Sequence, residues 1–123
     1  METPVLLIGR ILFGGYFIFN AFNHFSNLSV MAGYAQSRGI PAAKLAVAGS
    51  GALLAVGGLS IIFNIFPLAG LTALILFLVP VTFTMHPFWK SQDPMAKMGE
   101  MVNFTKNLAL LGALTTFLAY AIG

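Results

Sequence analysis

The sequence predicts an all-α membrane protein built as a bundle of four transmembrane helices. Four apolar stretches cover 4–26, 42–66, 68–86 and 104–122. Each is close to the roughly 20 residues that a helix needs to cross a bilayer core of about 30 Å. Hydrophobic residues make up 59% of the 123 residues and charged residues only 7%, whereas about a quarter of a typical soluble domain is charged. A soluble fold of this length has too little interior to bury so much apolar surface.

The first predicted helix begins at Pro4, because proline is favoured in a first helical turn, and it ends in the polar run 23–27. This stretch is long, contains Arg10 and is not followed by an A-x-A cleavage site, so it does not resemble a signal peptide. The next residues, 27–41, form a loop of intermediate polarity. Within that loop, 30–37 has the pattern of a short interfacial helix.

Prolines divide the middle of the chain. Pro41 opens the second predicted helix, and Pro67 separates it from the third. Because proline breaks a helix near its own position, the long apolar segment 42–86 is interpreted as two helices. Pro80, inside the third helix, predicts a kink. The polar loop 87–103 then leads into the fourth helix.

The four helices are predicted to form one domain, 1–123, with both termini on one side of the membrane and both long loops on the other. The loops and their flanks hold Arg38, Lys44, Lys90, Lys97 and Lys106. The positive-inside rule therefore places the loops in the cytoplasm and both termini outside.

Composition excludes several kinds of chemistry. The absence of cysteine excludes disulfide exchange, thiolate catalysis and Cys-ligated metal for this chain alone. The net charge of +3 is scattered along the chain, which gives no support for nucleic-acid binding. Two histidines are too few ligands for a structural zinc site, and they lack a motif that would favour a bis-histidine haem.

Small residues are expected to hold the helices together, since lipid tails are as apolar as leucine and hydrophobicity cannot drive helix association in a bilayer. The small residues at useful spacing are Ala48/Ala52 and Gly51/Ala55 in the second helix, with Gly9, Gly14, Gly15, Gly112 and Ala113 elsewhere. We interpret them as helix–helix contacts. The alternative is that the glycines make room for a ligand.

Several polar side chains fall at one depth, near the predicted cytoplasmic ends of the helices. They are Asn20, Asn23, His24, His86, Asn103, Lys106 and Asn107. The three from the first helix share one face at i, i+3 and i+4. Because amide and ionisable groups are costly inside a bilayer and often mark function, we expect a polar cleft that admits a lipid-soluble head group. The alternative is that these residues only cap helix ends or snorkel.

Arg10 lies about two turns inside the outer end of the first helix, where Glu2 is the nearest acid in sequence. It either snorkels to lipid phosphates or binds backbone carbonyls or an anionic ligand, with Asn64 as a neighbour. Guanidinium suits a carboxylate, phosphate or sulfur oxyanion.

An ordered set of short segments covers nearly the whole chain. The segments are 9–15 (GRILFGG), His24, Tyr34, 39–41 (GIP), Gly57-Gly58, 86–89 (HPFW) and 104–112 (FTKNLALLG). In this order they resemble the DoxX family of small four-helix inner-membrane proteins.

The resemblance implies association with membrane oxidoreductases, in the cytoplasmic (inner) membrane of a bacterium or archaeon. The family name comes from a subunit linked to thiosulfate:quinone oxidoreductase, and other members look like partners in oxidative-stress defence. The positions carried over by resemblance are Arg10, His24, His86, Lys106 and Asn107. Many relatives carry an acid early in the second helix, where this chain has Ala52-Leu53-Leu54-Ala55, which argues against a proton-coupled role for that helix.

The first functional hypothesis is a quinone-associated membrane subunit of an oxidoreductase, which needs a partner or an external electron donor. Its catalytic residues would be His24 and His86, and its cofactor-binding residues Arg10, Asn20, Asn23, Lys106 and Asn107. Two alternatives stay open: a non-enzymatic scaffold that binds a partner protein through loop 87–103, and a small-solute transporter. Self-association into a homo-oligomer also stays open.

Overall fold

The computed structural model describes residues 3–123, and Glu2, the acid expected near Arg10, lies outside them. The elements are α1 (Pro4–Ser26), α2 (Leu28–Ser37), α3 (Ala43–Phe63), α4 (Pro67–Met85), a 3-10 turn (Phe88–Lys90) and α5 (Pro94–Ile122). Four helices among the described residues are long and apolar enough to cross a membrane. They are α1, α3, α4 with the turn after it, and α5. The predicted all-α bundle of four membrane helices is confirmed, and the chain is an integral membrane protein.

Local sequence explains the ends of the first three spanning helices. Thr3 Oγ1 accepts a hydrogen bond at 3.1 Å from the backbone N–H of Leu6, in the first turn of α1. The helix α1 covers the same residues, 4–26, as the first predicted helix. Between α3 and α4, Asn64 and Phe66 adopt left-handed φ values of 53° and 46°. Pro67 begins α4, so the break falls where the proline predicts it, although α3 already ends at Phe63.

The fourth span differs from the prediction. α5 begins at Pro94 rather than at 104, so much of the predicted loop 87–103 is helical. Asp93 caps the helix, its Oδ2 accepting from the backbone N–H of Ala96 at 3.0 Å, and a cap followed by proline is a strong helix start. Hydropathy missed this start because the first turns are polar. At 1.5 Å per residue the helix is about 44 Å long, so it extends beyond a core of about 30 Å.

α1 and α3 pack closely where two glycines face each other. A Cβ on Gly14 would lie 2.8 Å from the carbonyl oxygen of Gly58, and a Cβ on Gly58 would lie 2.8 Å from that of Gly14. The predicted role of glycine in helix contacts is therefore correct at Gly14. It is wrong at Gly9, Gly15 and Gly112, where an added Cβ would meet no atom within 4 Å.

A buried apolar layer divides the bundle in two. α3 packs against α1, α2 and α4, and α4 packs against α5. α5 meets α1 through side chains, including the edge-to-face pair of Phe13 and Phe117 at 5.3 Å. The central layer, as we call it, consists of the fully buried Phe17, Leu54, Leu74 and Leu114. Cavities lie on both sides of this layer, and the large apolar side chains that remain exposed on the outer faces contact lipid.

Candidate functional site

A cavity of about 190 Å³ lies between α1, α4 and α5, at the end of the bundle where α2 sits. We call it the polar cavity. Its polar lining consists of Tyr16, Asn20, His24, His86, Lys106 and Asn107, and its apolar lining includes Phe17, Leu54, Phe77 and Leu78. The three residues from α1 are spaced by four, which puts them on one helix face.

The structure brings together five of the residues predicted from sequence: Asn20, His24, His86, Lys106 and Asn107. Asn23 and Asn103 do not line the polar cavity, and Arg10 lies beyond the central layer at the other end of the bundle. The predicted shared face therefore holds for Asn20 and His24, whereas Asn23, about 100° from His24 around the helix axis, does not reach the cavity. Tyr16 lines the cavity without having been predicted.

The ring of His24 is fixed in orientation by its own helix. Its Nδ1 lies 2.8 Å from the carbonyl oxygen of Asn20, and a carbonyl oxygen only accepts, so Nδ1 carries the hydrogen. The neutral ring therefore presents Nε2 as an acceptor. The residue is 8% exposed, and its ring lies edge-on to Phe77 with centroids 6.0 Å apart. His24 thus offers a nearly buried hydrogen-bond acceptor at the cavity wall.

Asn107 is a nearly buried polar residue without a protein partner. It is 5% exposed and lines the polar cavity, yet its side chain makes no hydrogen bond within residues 3–123. The fully buried Thr82, by contrast, donates to the carbonyl oxygen of Leu78 at 2.6 Å. No side-chain nitrogen or oxygen of the described part of the chain is both sealed from solvent and unpaired, so the amide reaches the cavity. The amide can therefore pair with a ligand or a water molecule in the cavity.

Lys106 and Asn20 complete the polar lining. Lys106 Nζ lies 5.6 Å from the centroid of the Tyr16 ring, a cation–π distance that joins α5 to α1. Asn20 Nδ2 donates to the carbonyl oxygen of Tyr16 at 2.8 Å, which leaves Asn20 Oδ1 as an acceptor. The cavity therefore combines a cationic donor and an amide from α5 with acceptors from α1.

A second polar cluster joins the cavity to the surface. This edge cluster consists of Tyr34, Arg38, His86 and Glu100. Glu100 Oε2 lies 3.2 Å from His86 Nδ1 and 3.6 Å from Arg38 Nη2. Arg38 Nη2 also donates to the Tyr34 hydroxyl at 2.7 Å, and that hydroxyl lies 3.3 Å from Glu100 Oε1. Glu100 thereby links α2 and the end of α4 to α5, and it orients the His86 ring.

Glu100 is not among the predicted site residues, because the sequence predicts a loop at 87–103. The Asp93-Pro94 pair is the signal that would have extended the helix and placed Glu100 fewer than two turns before Lys106. Within the described ranges, no three His, Asp or Glu side chains lie close enough to hold a metal ion. The edge cluster is therefore a network of hydrogen bonds and ion pairs.

Arg10 belongs to a separate site. Its Nε donates to the carbonyl oxygen of Ile61 at 3.0 Å, and its Nη2 donates to that of Ile62 at 2.8 Å. These carbonyls lie in the last turn of α3, where helical partners are missing and positive charge is favourable. Of the predicted alternatives, the structure shows binding to backbone carbonyls. A mainly apolar cavity of about 460 Å³ lies beside Arg10, with Asn64 in its wall.

Comparison with protein families adds independent support for the resemblance seen in the sequence. The family model described as DoxX matches residues 5–87, which is more than half of the chain. The matched range includes His24 and His86, whereas α5 with Lys106 and Asn107 lies outside it. Comparison with curated proteins and with solved structures gave no match.

Proposed function

Because this chain belongs to the DoxX family, we propose that it is a quinone-associated membrane subunit of an oxidoreductase system. The observation that carries this proposal is the Asn107 amide, which is 5% exposed, has no partner among residues 3–123 and faces the polar cavity. This unpaired donor can pair with an acceptor that enters the cavity. The carbonyl oxygen of a lipid-soluble quinone is an acceptor that arrives from the bilayer itself.

The volume of the polar cavity is large enough for one six-membered ring. An apolar protein cavity of about 150 Å³ binds benzene. The polar cavity, at about 190 Å³, can therefore accept a six-membered ring with small substituents. Tyr16 and Phe77 in its wall offer aromatic contacts to such a ring.

The polar lining suits both redox forms of a quinone. The Asn107 amide and the Lys106 ammonium can donate to the carbonyl oxygens of the oxidised ring. His24 Nε2 and Asn20 Oδ1 can accept from the hydroxyl groups of the reduced ring. A bound quinone would accept two electrons and two protons.

Proton movement is assigned to the two histidines, because the nitrogens of an imidazole ring can accept a proton and donate one. His24 lines the inner wall of the cavity, and His86 links the cavity to the edge cluster. The sequence contains no cysteine and no recognisable motif for a redox centre, so the electrons are assigned to an external reductant or a partner subunit. The chain's own part is to hold and orient the ring.

Quinone binding by the purified protein tests the proposal. Asn107→Leu keeps the size of the side chain and removes its hydrogen-bonding groups, and Asn103→Leu, one turn earlier and outside the cavity, is the matched control. We expect solvent extraction and mass spectrometry to recover bound quinone. We also expect Asn107→Leu to weaken quinone binding about tenfold, the value of one hydrogen bond of about 1.4 kcal/mol. If no quinone is recovered and both variants bind added quinone like the unmodified protein, the proposal is wrong.

We also propose that the protein lies in the cytoplasmic membrane of a bacterium or archaeon, with both termini outside. The support is the basic residues near the polar end of the bundle: Arg38, Lys44, Lys90 and Lys97. Since the chain has no native cysteine, Ser91→Cys and Gly123→Cys can be labelled separately in intact cells with an impermeant thiol reagent. Labelling at 123 but not at 91 is expected, and the reverse pattern would contradict the orientation.

A non-enzymatic scaffold is the second candidate, because the segment predicted to bind a partner exposes large side chains. Trp89, Met95 and Met98 are each more than half exposed. Pull-down from native membranes, combined with the quinone-binding measurement above, separates the two functions. A stoichiometric partner that is lost in Met95→Glu would favour the scaffold, and a solitary oligomer would count against it.

A further inference from the structure

We propose that the ligand of the polar cavity carries an alkyl or isoprenoid tail, and that this tail lies in an apolar groove between α2, α3 and α4. We call this second space the lateral groove. The inference rests on the proposed function, because it assigns the groove to the tail of the ring that the polar cavity holds.

The lateral groove has a volume of about 400 Å³ and opens toward lipid. Its apolar lining includes Leu45, Leu53, Leu76, Pro80 and Val81. Leu45 and Leu76 are 75% and 65% exposed, so they lie on the outer surface that hydrocarbon covers. A Cβ on Gly49 would meet no atom within 4 Å, so this glycine leaves space within the groove. The groove can therefore receive a chain directly from the bilayer.

The groove and the polar cavity share one wall. The residues that line both spaces are His24, Met31, Phe77, Val81 and Met85. The two spaces are therefore neighbours, with these residues between them. Met31 and Met85 are unbranched and flexible, so they can move aside for a narrow chain. This continuity favours one molecule with its ring on one side of the wall and its tail on the other.

The energetics predict what the groove does for such a ligand. Moving a tail from the bilayer into the groove gives little favourable free energy, because lipid is as apolar as the groove. The groove therefore guides the tail and leaves room for it, while most of the affinity comes from the ring. Bulk added inside the groove should exclude tailed ligands and leave tailless ligands unaffected.

The experiment uses the full chain in phosphatidylcholine nanodiscs and two probes. One probe is a dimethoxy-methyl-benzoquinone without a tail, and the other is the same ring with a decyl tail. Gly49→Trp fills the groove, and Ala46→Leu is a smaller second variant in the same wall. Gly112→Trp is the matched control, because a Cβ there also meets no atom within 4 Å but the residue lies on α5, away from the groove.

We expect Gly49→Trp to weaken binding of the decyl probe at least about tenfold and that of the tailless probe less than about twofold, with Gly112→Trp changing neither. Ala46→Leu should shift the decyl probe in the same direction by a smaller factor. Equal effects on both probes, or no effect on the decyl probe, would overturn the inference while leaving the proposed function standing. If neither probe binds the unmodified protein, the proposed function fails and the inference fails with it.

Discussion

Replacing Gly14 by alanine should force α1 away from α3. The new Cβ would lie 2.6 Å from Ile62 Cγ1 and 2.8 Å from the carbonyl oxygen of Gly58. The side chain of Ile62 can rotate, but the carbonyl oxygen belongs to the backbone of α3 and moves only with that helix. Since non-bonded heavy atoms favour separations of about 3.5–4.0 Å, the helices must separate by roughly half an ångström or more.

The magnitude follows from two opposing terms. Overpacking a close contact costs about 1–3 kcal/mol. Alanine is better than glycine inside a helix by about 0.5–1 kcal/mol. We therefore expect Gly14→Ala to lower the free energy of unfolding by about 1 kcal/mol, the middle of the range that the two terms allow. Gly15→Ala is the matched control, because its Cβ meets no atom within 4 Å and only the favourable term applies.

Reversible unfolding in mixed micelles, titrated with sodium dodecyl sulfate and followed by circular dichroism, measures both free energies. The two variants differ by one position along the same helix, so effects of composition and helix length cancel. Equal stabilities of Gly14→Ala and Gly15→Ala, or a Gly14→Ala protein more stable than the unmodified chain, would refute the close approach of α1 and α3.

In the same titration, Arg10→Met should lower the free energy of unfolding by about 1–3 kcal/mol, because two carbonyls at the end of α3 lose their donor. A decrease of less than about 0.5 kcal/mol would contradict the capping role. Glu100→Gln should change global stability by less than about 1 kcal/mol, because the ion pair is partly exposed. It should nevertheless loosen α2, so that trypsin cleaves faster after Arg38, and an unchanged cleavage rate would argue against the edge cluster. Asp93→Ala should cost about 1 kcal/mol and speed amide exchange in the first turn of α5, whereas unchanged exchange would show that the cap is unimportant.

The apolar helices could be predicted from the sequence because the interior of a bilayer allows very few backbone structures. A run of hydrophobic residues long enough to cross the core must be helical, since only a helix pairs all its backbone groups within one segment. Pro67 then marked the break between α3 and α4 correctly. The start of α5 was not predicted, because hydropathy identifies only the part of a helix that lies inside the bilayer. Outside the bilayer the helix start is set by the cap at Asp93 and by Pro94.

The polar cavity could be predicted in part because depth along a helix follows from counting residues. His24, His86 and Asn107 share a depth, and the structure places all three on one cavity. The rotation of each side chain about its helix axis was harder, as Asn23 shows. The partnership of Glu100 with Arg38 could not be predicted at all, because it depends on how α2 and α5 are docked.

The central layer of Phe17, Leu54, Leu74 and Leu114 has a consequence for the two ends of the bundle. These fully buried side chains insulate the space around His24 from the space around Arg10. A layer of apolar side chains offers a proton no hydrogen-bonding groups along its thickness. Each cavity can therefore hold its own polar environment while the other end of the bundle faces the opposite side of the membrane.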